Sequence, residues 1–289
     1  MTLKTEYKEI LLEVTDDVAW ITINRPQVRN AFREQTLDEL TEAVKSTRED
    51  ASIVAAVITG AGDKAFSAGG DFDAMMKLNR ANAMHWNDRM LGLAMAIRGV
   101  PIPVIAMVHG ACMGGGHELA LWCDLVISAE DGVFGQTGAK VGACPTVGAT
   151  QYIPRLIGDR LAKEMIFLCR TFKADEAVKI GLINKVVPKD KLREETEAWC
   201  QQMKGYSGQT LRATKKSLNF ESDELYASWQ QGMELLAEIW GSDESLEGMN
   251  AFLEKRKPNF HQFRQARKLK VDTYLDDLAN DRNQSAEKF

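Results

Sequence analysis

Residues 103–136 read PVIAMVHGACMGGGHELALWCDLVISAEDGVFGQ, a pattern of short apolar runs separated by glycine-rich turns. The apolar run VIAMV predicts a buried strand, because it is short and bounded by turn residues. The glycines at 114–116 open an apolar stretch that continues to Trp122, which predicts a helix. Two further apolar runs, 125–128 and 133–134, predict a short strand pair. This order of elements is typical of an α/β protein.

The same alternation continues toward the N-terminus. VAWITI at 18–23 and IVAAVIT at 53–59 predict strands on either side of a helix at about 34–48. The Met- and Ala-rich segment 73–98 predicts a longer helix. We therefore expect residues 1–200 to form an α/β core that carries the active site.

Toward the C-terminus the pattern becomes mostly helical. Helices are expected at about 190–204, 207–218 and 222–257. From Gln265 the chain is charged and has no strong apolar pattern, which predicts a partly mobile tail. We therefore expect residues 201–289 to form a helical region that ends in a charged tail.

The composition narrows the classes of function. The chain has 289 residues, of which 45% are hydrophobic and 27% are charged, as in ordinary globular proteins. Its net charge of −5 argues against a nucleic-acid partner, because nucleic-acid binding needs a basic surface. The five cysteines include no CxxC pair and the four histidines no HExxH motif, so neither a disulfide framework nor a metal site is expected.

The pattern also bears on where the protein works. The N-terminal MTLKTEYKEILLEV is charged and strand-like, which is not typical of a signal peptide. The sequence has no run of about 18 apolar residues, so we expect no membrane span. Widely spaced, unpaired cysteines fit a reducing compartment, and a cytoplasmic location is expected.

Three features could carry chemistry. Residues 67–71 (SAGGD) follow a predicted strand, residues 114–116 open a predicted helix, and Glu118 lies two positions beyond them. Glycines at a helix N-terminus leave backbone N–H donors free, and two such loops together could bind an oxyanion. Glu118 would then be a candidate general base or acid toward water. The alternative is that the glycines only shape turns and that Glu118 only stabilises the helix dipole.

The chain resembles the crotonase (enoyl-CoA hydratase/isomerase) superfamily in the order and spacing of several segments. The matching segments are 24–26 with 30–32, 61–72, 103–136, 158–188 and 252–260. The resemblance implies a spiral of repeated ββα turns, followed by a C-terminal helical region that builds a homotrimer or homohexamer. It also implies an acyl thioester of coenzyme A as substrate, with no other cofactor.

The resemblance further implies roles for single residues. The N–H groups of Gly70 and Gly115 would bind the thioester oxygen and stabilise its enolate, and Glu118 would activate water. Basic side chains would bind the phosphates of coenzyme A, and main-chain groups would bind its adenine. The matching positions are Arg29 and Lys255 or Lys257 for the phosphates, and the main chain of Ala31, Lys64 and Ala68 for the adenine. Of these, Lys255 or Lys257 would reach a neighbouring subunit, and the alternative for the basic residues is a solvated surface charge.

One position departs from the hydratase pattern. Hydratases of this family use a second glutamate on the same water, and here that position is Gly138. The segment FGQTGAKVG (134–142) instead resembles dihydroxynaphthoyl-CoA synthase, although Ala143 and Pro145 stand where the synthase has Ser and Asp. The segment GATQYIP (148–154) resembles hydrolases that open 6-oxocyclohexene-carbonyl-CoA rings.

Four functions therefore stay open. The first is the addition of water to an unsaturated acyl-CoA, with alicyclic acyl groups among the candidate substrates. The second is hydrolytic opening of a cyclic oxo-acyl-CoA. The third is carbon–carbon bond formation of the naphthoyl-synthase type, and the fourth is a non-catalytic relative that binds coenzyme A or RNA. His85, Asp88 and several methionines are candidates for the acyl pocket, with surface or core positions as the alternative. These methionines are Met75, Met76, Met90, Met107 and Met113.

Overall fold

A computed structural model describes residues 6–286 of the chain and the side chains of residues 6–277. The strands of this structure are β1 (Ile10–Thr15), β2 (Val18–Ile23), β3 (Ala55–Gly60), β4 (Ala65–Ser67), β5 (Val104–Val108), β6 (Ala111–Met113), β7 (Leu125–Ala129), β8 (Val133–Gly135), β9 (Thr171–Lys173) and β10 (Lys185–Val187). The helices are α1 (Glu34–Ser46), α2 (Phe72–Met75), α3 (Ala83–Gly99), α4 (Gly115–Trp122), α5 (Ala149–Ile157), α6 (Asp159–Phe167), α7 (Ala174–Lys179), α8 (Leu192–Lys204), α9 (Gly208–Asp223), α10 (Tyr226–Ile239), α11 (Asp243–Leu253) and α12 (His261–Ala286).

The larger sheet has six strands in the order β1-β2-β3-β5-β7-β10. Only the β1–β2 pair is antiparallel, and β2 pairs in parallel with β3 from Val18 opposite Ala55 to Ile23 opposite Gly60. The central strands are continuous apolar runs because both of their faces are buried. Ile58 faces the cluster that includes α1 and α3, whereas its neighbour Val57 faces the cluster that includes α8.

The smaller sheet has four strands in the order β4-β6-β8-β9 and stands at the ends of the larger one. Strands β3, β5 and β7 of the larger sheet each continue, after a short turn, into β4, β6 and β8 of the smaller sheet. A helix then follows each pair, which repeats the order strand–strand–helix three times. The predicted α/β fold with repeated ββα turns is therefore confirmed, as are the strand at 18–23 and the strand pair at 125–134.

The predicted helix at 73–98 is wrong in its first part, because the chain breaks between α2 and α3. In the break, Asn79 and Asn82 use their side chains as partners for the backbone. The side chain of Asn82 accepts from the N–H of Asn79 at 2.8 Å and donates to the carbonyl of Lys77 at 3.1 Å. Such bonds offer the backbone an alternative to the helical ladder, which a count of apolar positions does not register.

The predicted helix at 222–257 is also wrong, because it is divided between the end of α9, α10 and α11. The break before α11 contains Gly241, which has φ +75°, a conformation that favours glycine. Ser242 then begins α11 as its N-cap, with its side chain accepting from the N–H of Ser245 at 3.2 Å.

The segment predicted as a tail from Gln265 is helical up to Ala286, and residues 287–289 lie outside the described residues. Its described side chains are exposed, and Arg267 forms an ion pair with Glu244 of α11 at 3.3 Å. The division into a core at 1–200 and a helical region at 201–289 stays a prediction. Within the described residues, no helix combines the length and the apolar character needed to cross a membrane.

Candidate active site

The two glycine-rich loops and Glu118 line one cavity, whose volume including its open mouth is about 650 Å³. Gly70 comes from the loop after β4, and Gly115 and Glu118 come from the first turn of α4. Ala68, two residues before Gly70, also lines the cavity. The loops meet here because β4 and β6 are parallel neighbours, so that their carboxyl ends lie side by side.

Gly70 is paired with Phe32 in an isolated parallel bridge. In this bridge the N–H of Phe32 donates to the carbonyl of Gly69, and the N–H of Asp71 donates to the carbonyl of Phe32, both at 2.9 Å. The bonds therefore run to the residues on either side of Gly70. In a parallel pair the N–H of the middle residue points away from the partner strand, which leaves the Gly70 N–H free for another acceptor.

Gly115 begins α4, and the first N–H groups of a helix have no acceptor within the helix. The preceding Gly114 is fixed on both sides. Its N–H donates to the carbonyl of Gly135 at 2.9 Å, and its carbonyl accepts from the N–H of Glu118 at 3.0 Å. The same carbonyl also accepts from Nε2 of Gln136 at 3.2 Å. Gly115 therefore stands in a loop that is held by the neighbouring strand.

Gly69 allows the two loops to approach each other. It has φ +94°, and a methyl group built on it would stand 2.9 Å from the backbone nitrogen of Gly115. A side chain at this position would therefore push the Gly115 N–H away from the Gly70 N–H. With glycine, two backbone donors from distant parts of the chain face one cavity, which is the arrangement that stabilises a developing oxyanion.

Glu118 is almost completely buried at the inner wall of the cavity, with 5% of its surface exposed. Burial raises the pKa of its carboxyl to about 8, against the smaller opposing effect of the N–H groups of Ala149 and Val147. The N–H of Ala149 donates to Oε1 at 3.4 Å. A carboxyl with a pKa near neutrality can both take and return a proton, as general acid–base catalysis requires.

Gly138, at the position of the second glutamate of hydratases, also lines the cavity. A methyl group on it would stand 2.7 Å from the carbonyl oxygen of Ala143. The loop 138–143 would therefore have to move before any side chain fitted there. Among the described residues that line the cavity, Glu118 carries the one carboxylate.

The outer part of the cavity is apolar and largely aromatic. Its walls include Phe32, Phe72, Trp86 and Trp240, together with Met75, Met90, Val141 and Leu236. Met75 and Met90 thus stand where the sequence placed them as acyl-pocket candidates. Met107 instead packs in the core on the opposite face of the large sheet, and Met76 and Met113 do not line the cavity.

His85 and Asp88 are exposed on α3 and do not line the cavity, so the alternative of surface positions is correct for both. Cys144 does line the cavity, and burial together with the nearby Glu118 raises the pKa of its thiol. Cys112 is fully buried, and burial raises the pKa of its thiol as well. Neither environment favours a thiolate nucleophile.

Most of the candidates for binding coenzyme A do not line the cavity. Arg29, Lys64, Lys255 and Lys257 are all exposed, and none of them lines the cavity. Lys255 lies three residues after Phe252. The ring of Phe252 packs edge-on against that of Phe72, which lines the cavity, with 4.7 Å between the ring centroids. Ala31 is buried, and its carbonyl accepts a hydrogen bond from Arg25.

Sequence reasoning missed Trp86 and Gln136 as parts of the site. Trp86 occupies an ordinary buried position of α3, so its spacing did not distinguish a cavity wall from the core. Gln136 directly follows Gly135 at the end of β8 and is 1% exposed. The available sequence signal was a polar glutamine directly after an apolar strand and a glycine, because an amide in a buried place bonds to neighbouring groups.

The family model described as enoyl-CoA hydratase/isomerase matches residues 13–265 of this chain. The match includes both glycine-rich loops and Glu118. It ends shortly after the start of α12, so that most of this last helix lies beyond it.

Solved structures of similar proteins have the same fold. An enoyl-CoA hydratase from Mycobacterium avium subsp. paratuberculosis K-10 has a TM-score of 0.81 and 27% identity, over 88% of this chain and 99% of that one. An enoyl-CoA hydratase/isomerase from Xanthobacter autotrophicus Py2 has a TM-score of 0.80 and 31% identity, over 86% and 94%. An enoyl-CoA hydratase from Bacillus anthracis has a TM-score of 0.72 and 32% identity, over 88% and 99%.

Proposed function

The chain belongs to the enoyl-CoA hydratase/isomerase family, and we propose that it adds water to an unsaturated acyl-CoA with Glu118 as the acid–base group. One observation carries this proposal. A buried carboxyl with a pKa of about 8 shares a cavity with two glycine loops whose N–H groups are available to a ligand. The cavity therefore offers a carboxylate that can accept a proton, together with N–H donors that can bind a negatively charged oxygen.

In the proposed reaction the thioester oxygen accepts hydrogen bonds from the N–H groups of Gly70 and Gly115. Attack at the β-carbon moves negative charge onto this oxygen as the enolate forms. Preorganised donors stabilise such charge more than the ground state, and in other oxyanion holes the loss of one donor costs about 3–4 kcal/mol. The rate enhancement thus rests on donors fixed before the substrate arrives.

Glu118 alone can complete the proton balance. Its carboxylate takes a proton from water while the water oxygen bonds to the β-carbon and the double-bond electrons move to the enolate. The neutral carboxyl then returns that proton to the α-carbon as the thioester carbonyl re-forms. The net change is the addition of one water, and a pKa near 8 suits a group that must perform both transfers.

The aromatic walls support a cyclic acyl group. Phe32, Trp86 and Trp240 present broad apolar faces, which pack well against a ring. These walls and the glycine at 138 also favour a second candidate, the hydrolytic opening of a cyclic oxo-acyl-CoA. That reaction passes through the same thioester enolate, so the same N–H donors would serve it.

Coenzyme A would lie along the mouth of the cavity. We assign its phosphates to the exposed Arg29, Lys255 and Lys257. We assign its adenine to the main chain of the loop with Ala31 and of the segment from Lys64 through Gly70, which includes Ala68. The contact between Phe252 and Phe72 supports a role for the neighbouring Lys255 at the cavity of its own chain. No metal or further organic cofactor is part of the proposed reaction.

We propose a homotrimer or homohexamer built by the helices of 201–289. Large apolar side chains on α9 and at the start of α10 support this proposal, because Leu218, Phe220 and Tyr226 are between 44% and 75% exposed. Light scattering on the purified protein gives the mass of the assembly directly. A monomer at working concentrations would contradict the proposal.

The decisive experiment is product mass analysis with three substrates: crotonyl-CoA, cyclohexenoyl-CoA and 6-oxocyclohexenoyl-CoA. We expect a hydration product that is heavier than the substrate by about 18 Da, the mass of one water. We also expect kcat to fall at least a hundredfold in Glu118→Gln. The matched control is Glu130→Gln, because Glu130 is exposed and lies outside the cavity. A ring-opened product from the oxo substrate alone would select the hydrolase, and unchanged turnover in Glu118→Gln would refute the assigned role.

A further inference from the structure

Arg25 is a buried arginine behind the cavity wall, with 8% of its surface exposed. Its Nη1 donates to the carbonyl of Ala31 at 2.5 Å, and its Nη2 donates to Oδ2 of Asp71 at 2.8 Å. Its Nε lies 3.6 Å from Oε1 of Glu9. The guanidinium thus contacts three separate parts of the chain, and Arg25 does not line the cavity.

Two of these contacts enclose the bridge that holds the first glycine loop. Ala31 directly precedes Phe32, and Asp71 directly follows Gly70, while Phe32 and Gly70 form the bridge itself. One planar guanidinium therefore bonds to a residue on each strand of this bridge, next to the paired residues. Such a fork fixes the distance and the angle between the two segments more strictly than a single bond does.

Asp71 is fixed through both of its carboxylate oxygens. While Oδ2 accepts from Arg25, Oδ1 accepts from the N–H of Asp73 at 3.0 Å and so caps α2. Helix α2 carries Met75, which lines the cavity. Gly70 is therefore paired with Phe32 in the bridge and is followed by Asp71, whose carboxylate accepts two hydrogen bonds. Both restraints leave the Gly70 N–H little freedom to rotate.

We infer that Arg25, acting through Asp71 and Ala31, is a positioning residue that aims the Gly70 N–H at the thioester oxygen. The inference rests on the proposed function, since it requires that Gly70 binds this oxygen. Small displacements of an oxyanion donor weaken its bond steeply, and a misplacement of about 1 Å can cost a hundredfold in rate. Arg25 does not line the cavity, so its effect reaches the reaction only through the loop.

Arg33 is a natural control within the same network. It also bonds to Glu9, with its Nε 2.6 Å from Oε1. Within the described residues it forms no hydrogen bond or ion pair with Ala31 or Asp71, and its charge interacts with Asp71 only through space. Burial raises the pKa of Glu9, but the hydrogen bonds from Arg33 and Thr36 and the charge of Arg25 outweigh it, and the net pKa is lowered. Both arginines therefore serve the same carboxylate, while only Arg25 serves the Gly70 loop.

The test compares binding of butyryl-CoA with binding of its thioether analogue, S-butyl-CoA, by calorimetry. The two ligands differ only in the carbonyl oxygen, and neither can be hydrated. For the wild-type protein we expect butyryl-CoA to bind about tenfold more tightly, as two modest hydrogen bonds would provide. In Arg25→Lys we expect this ratio to fall to about threefold or less, and in Arg33→Lys we expect no change.

Kinetics provide the second readout, on a substrate that the wild-type enzyme turns over. In Arg25→Lys we expect kcat to fall at least tenfold while KM changes less than about threefold, because the donor matters most in the transition state. Asp71→Asn is the second variant, since it keeps the cap of α2 but weakens the pair with Arg25. It decides the question if Arg25→Lys does not fold, which thermal melts report.

The outcomes separate the two proposals. If the wild-type protein binds both ligands equally, the thioester oxygen is not held by the Gly70 loop, and the proposed function fails. If the wild-type protein prefers butyryl-CoA and folded Arg25→Lys and Asp71→Asn keep that preference and their kcat, the positioning role of Arg25 is refuted while the proposed function stands.

Discussion

The two loops that face the cavity differ in the side-chain interactions that hold them. The first loop, residues 67–71 with Gly70, has a backbone bridge to Phe32 and, in addition, an ion pair between Arg25 and Asp71, which are 46 positions apart. The second loop, residues 114–116, is fixed by backbone hydrogen bonds of Gly114 to β8 and to the first turn of α4. Both donors thus rest on backbone hydrogen bonds, and they differ in the side chain that adds to them, a buried ion pair at the first loop and a single amide hydrogen bond from Gln136 at the second.

The two loops also differ in the atoms that surround their glycines. A methyl group on Gly70 would meet Sδ of Met75 at 2.5 Å, and a methionine side chain can change rotamer to make room. A methyl group on Gly116 would instead collide with the backbone carbonyl of Ser67, which cannot move without the strand β4. A side chain at Gly70 is therefore expected to change function with little change in stability, whereas a side chain at Gly116 is expected to act on the fold.

The largest expected effect comes from Glu118, the buried carboxyl that follows the second loop. Its pKa is raised to about 8, so below pH 4.5 it is neutral in both the folded and the unfolded state. Between pH 4.5 and pH 8 this carboxyl ionises only in the unfolded chain. The free energy of unfolding of the wild type therefore falls by about 1.4 kcal/mol per pH unit relative to that of Glu118→Gln. By pH 8 the stability of the variant relative to the wild type should have risen by about 4 kcal/mol above its value at pH 4.5.

Urea denaturation between pH 5 and pH 9 measures this difference. The exposed Glu130→Gln serves as the control, because its stability relative to the wild type should not vary across this range. A constant difference between the wild type and Glu118→Gln at every pH would show that Glu118 is not a buried acid.

The second prediction concerns Gly116→Ala, which should lower the free energy of unfolding by about 3 kcal/mol because the added methyl group overpacks a backbone carbonyl. Gly92→Ala is the matched control. Gly92 lies within α3, and a methyl group there meets nothing within 4 Å, so this change should stabilise the protein by about 0.5–1 kcal/mol. If both variants melt like the wild type, the second loop is not as tightly packed as described.

The third prediction tests whether the second loop needs its side-chain contact. Gln136→Met removes the bond from Nε2 to the carbonyl of Gly114, which still accepts from the N–H of Glu118. We expect a loss of about 1 kcal/mol in chemical denaturation and a smaller fall in the butyryl-CoA preference than in Arg25→Lys. An equal or larger fall would mean that both loops depend on side chains, and the contrast between them would be lost.

The smallest effect on stability is expected for Gly70→Ala. Because Met75 can move aside, the free energy of unfolding should change by less than about 1 kcal/mol, well below the effect of Gly116→Ala. Turnover should nevertheless fall, since the methyl group and the displaced Met75 occupy the cavity beside the thioester. Denaturation and kcat measured on one preparation test both parts, and a strongly destabilised variant would place Gly70 with the second loop.

Much of this architecture could be predicted from the sequence because its signals are local. A short apolar run such as 104–108 predicts a strand buried on both faces, and the glycines at 114–116 predict a tight entry into a helix. The breaks at Asn79 and Gly241 were missed, since the apolar pattern continues through both of them. There, a side-chain hydrogen bond and a positive φ decide where the helices end.

The α/β repeats, the two glycine loops and the place of Glu118 in the first turn of a helix follow from the amino-acid sequence alone. How strongly Glu118 is buried, and hence its pKa, follows from tertiary packing, because burial depends on walls such as Trp86 and Trp240 from distant parts of the chain. Tertiary packing also decides that Arg25 bonds to Asp71. The physical reason is that backbone periodicity is set by near neighbours, whereas the polarity of a cavity and the partners of a buried charge are set by residues that meet only after the sheets and helices have packed.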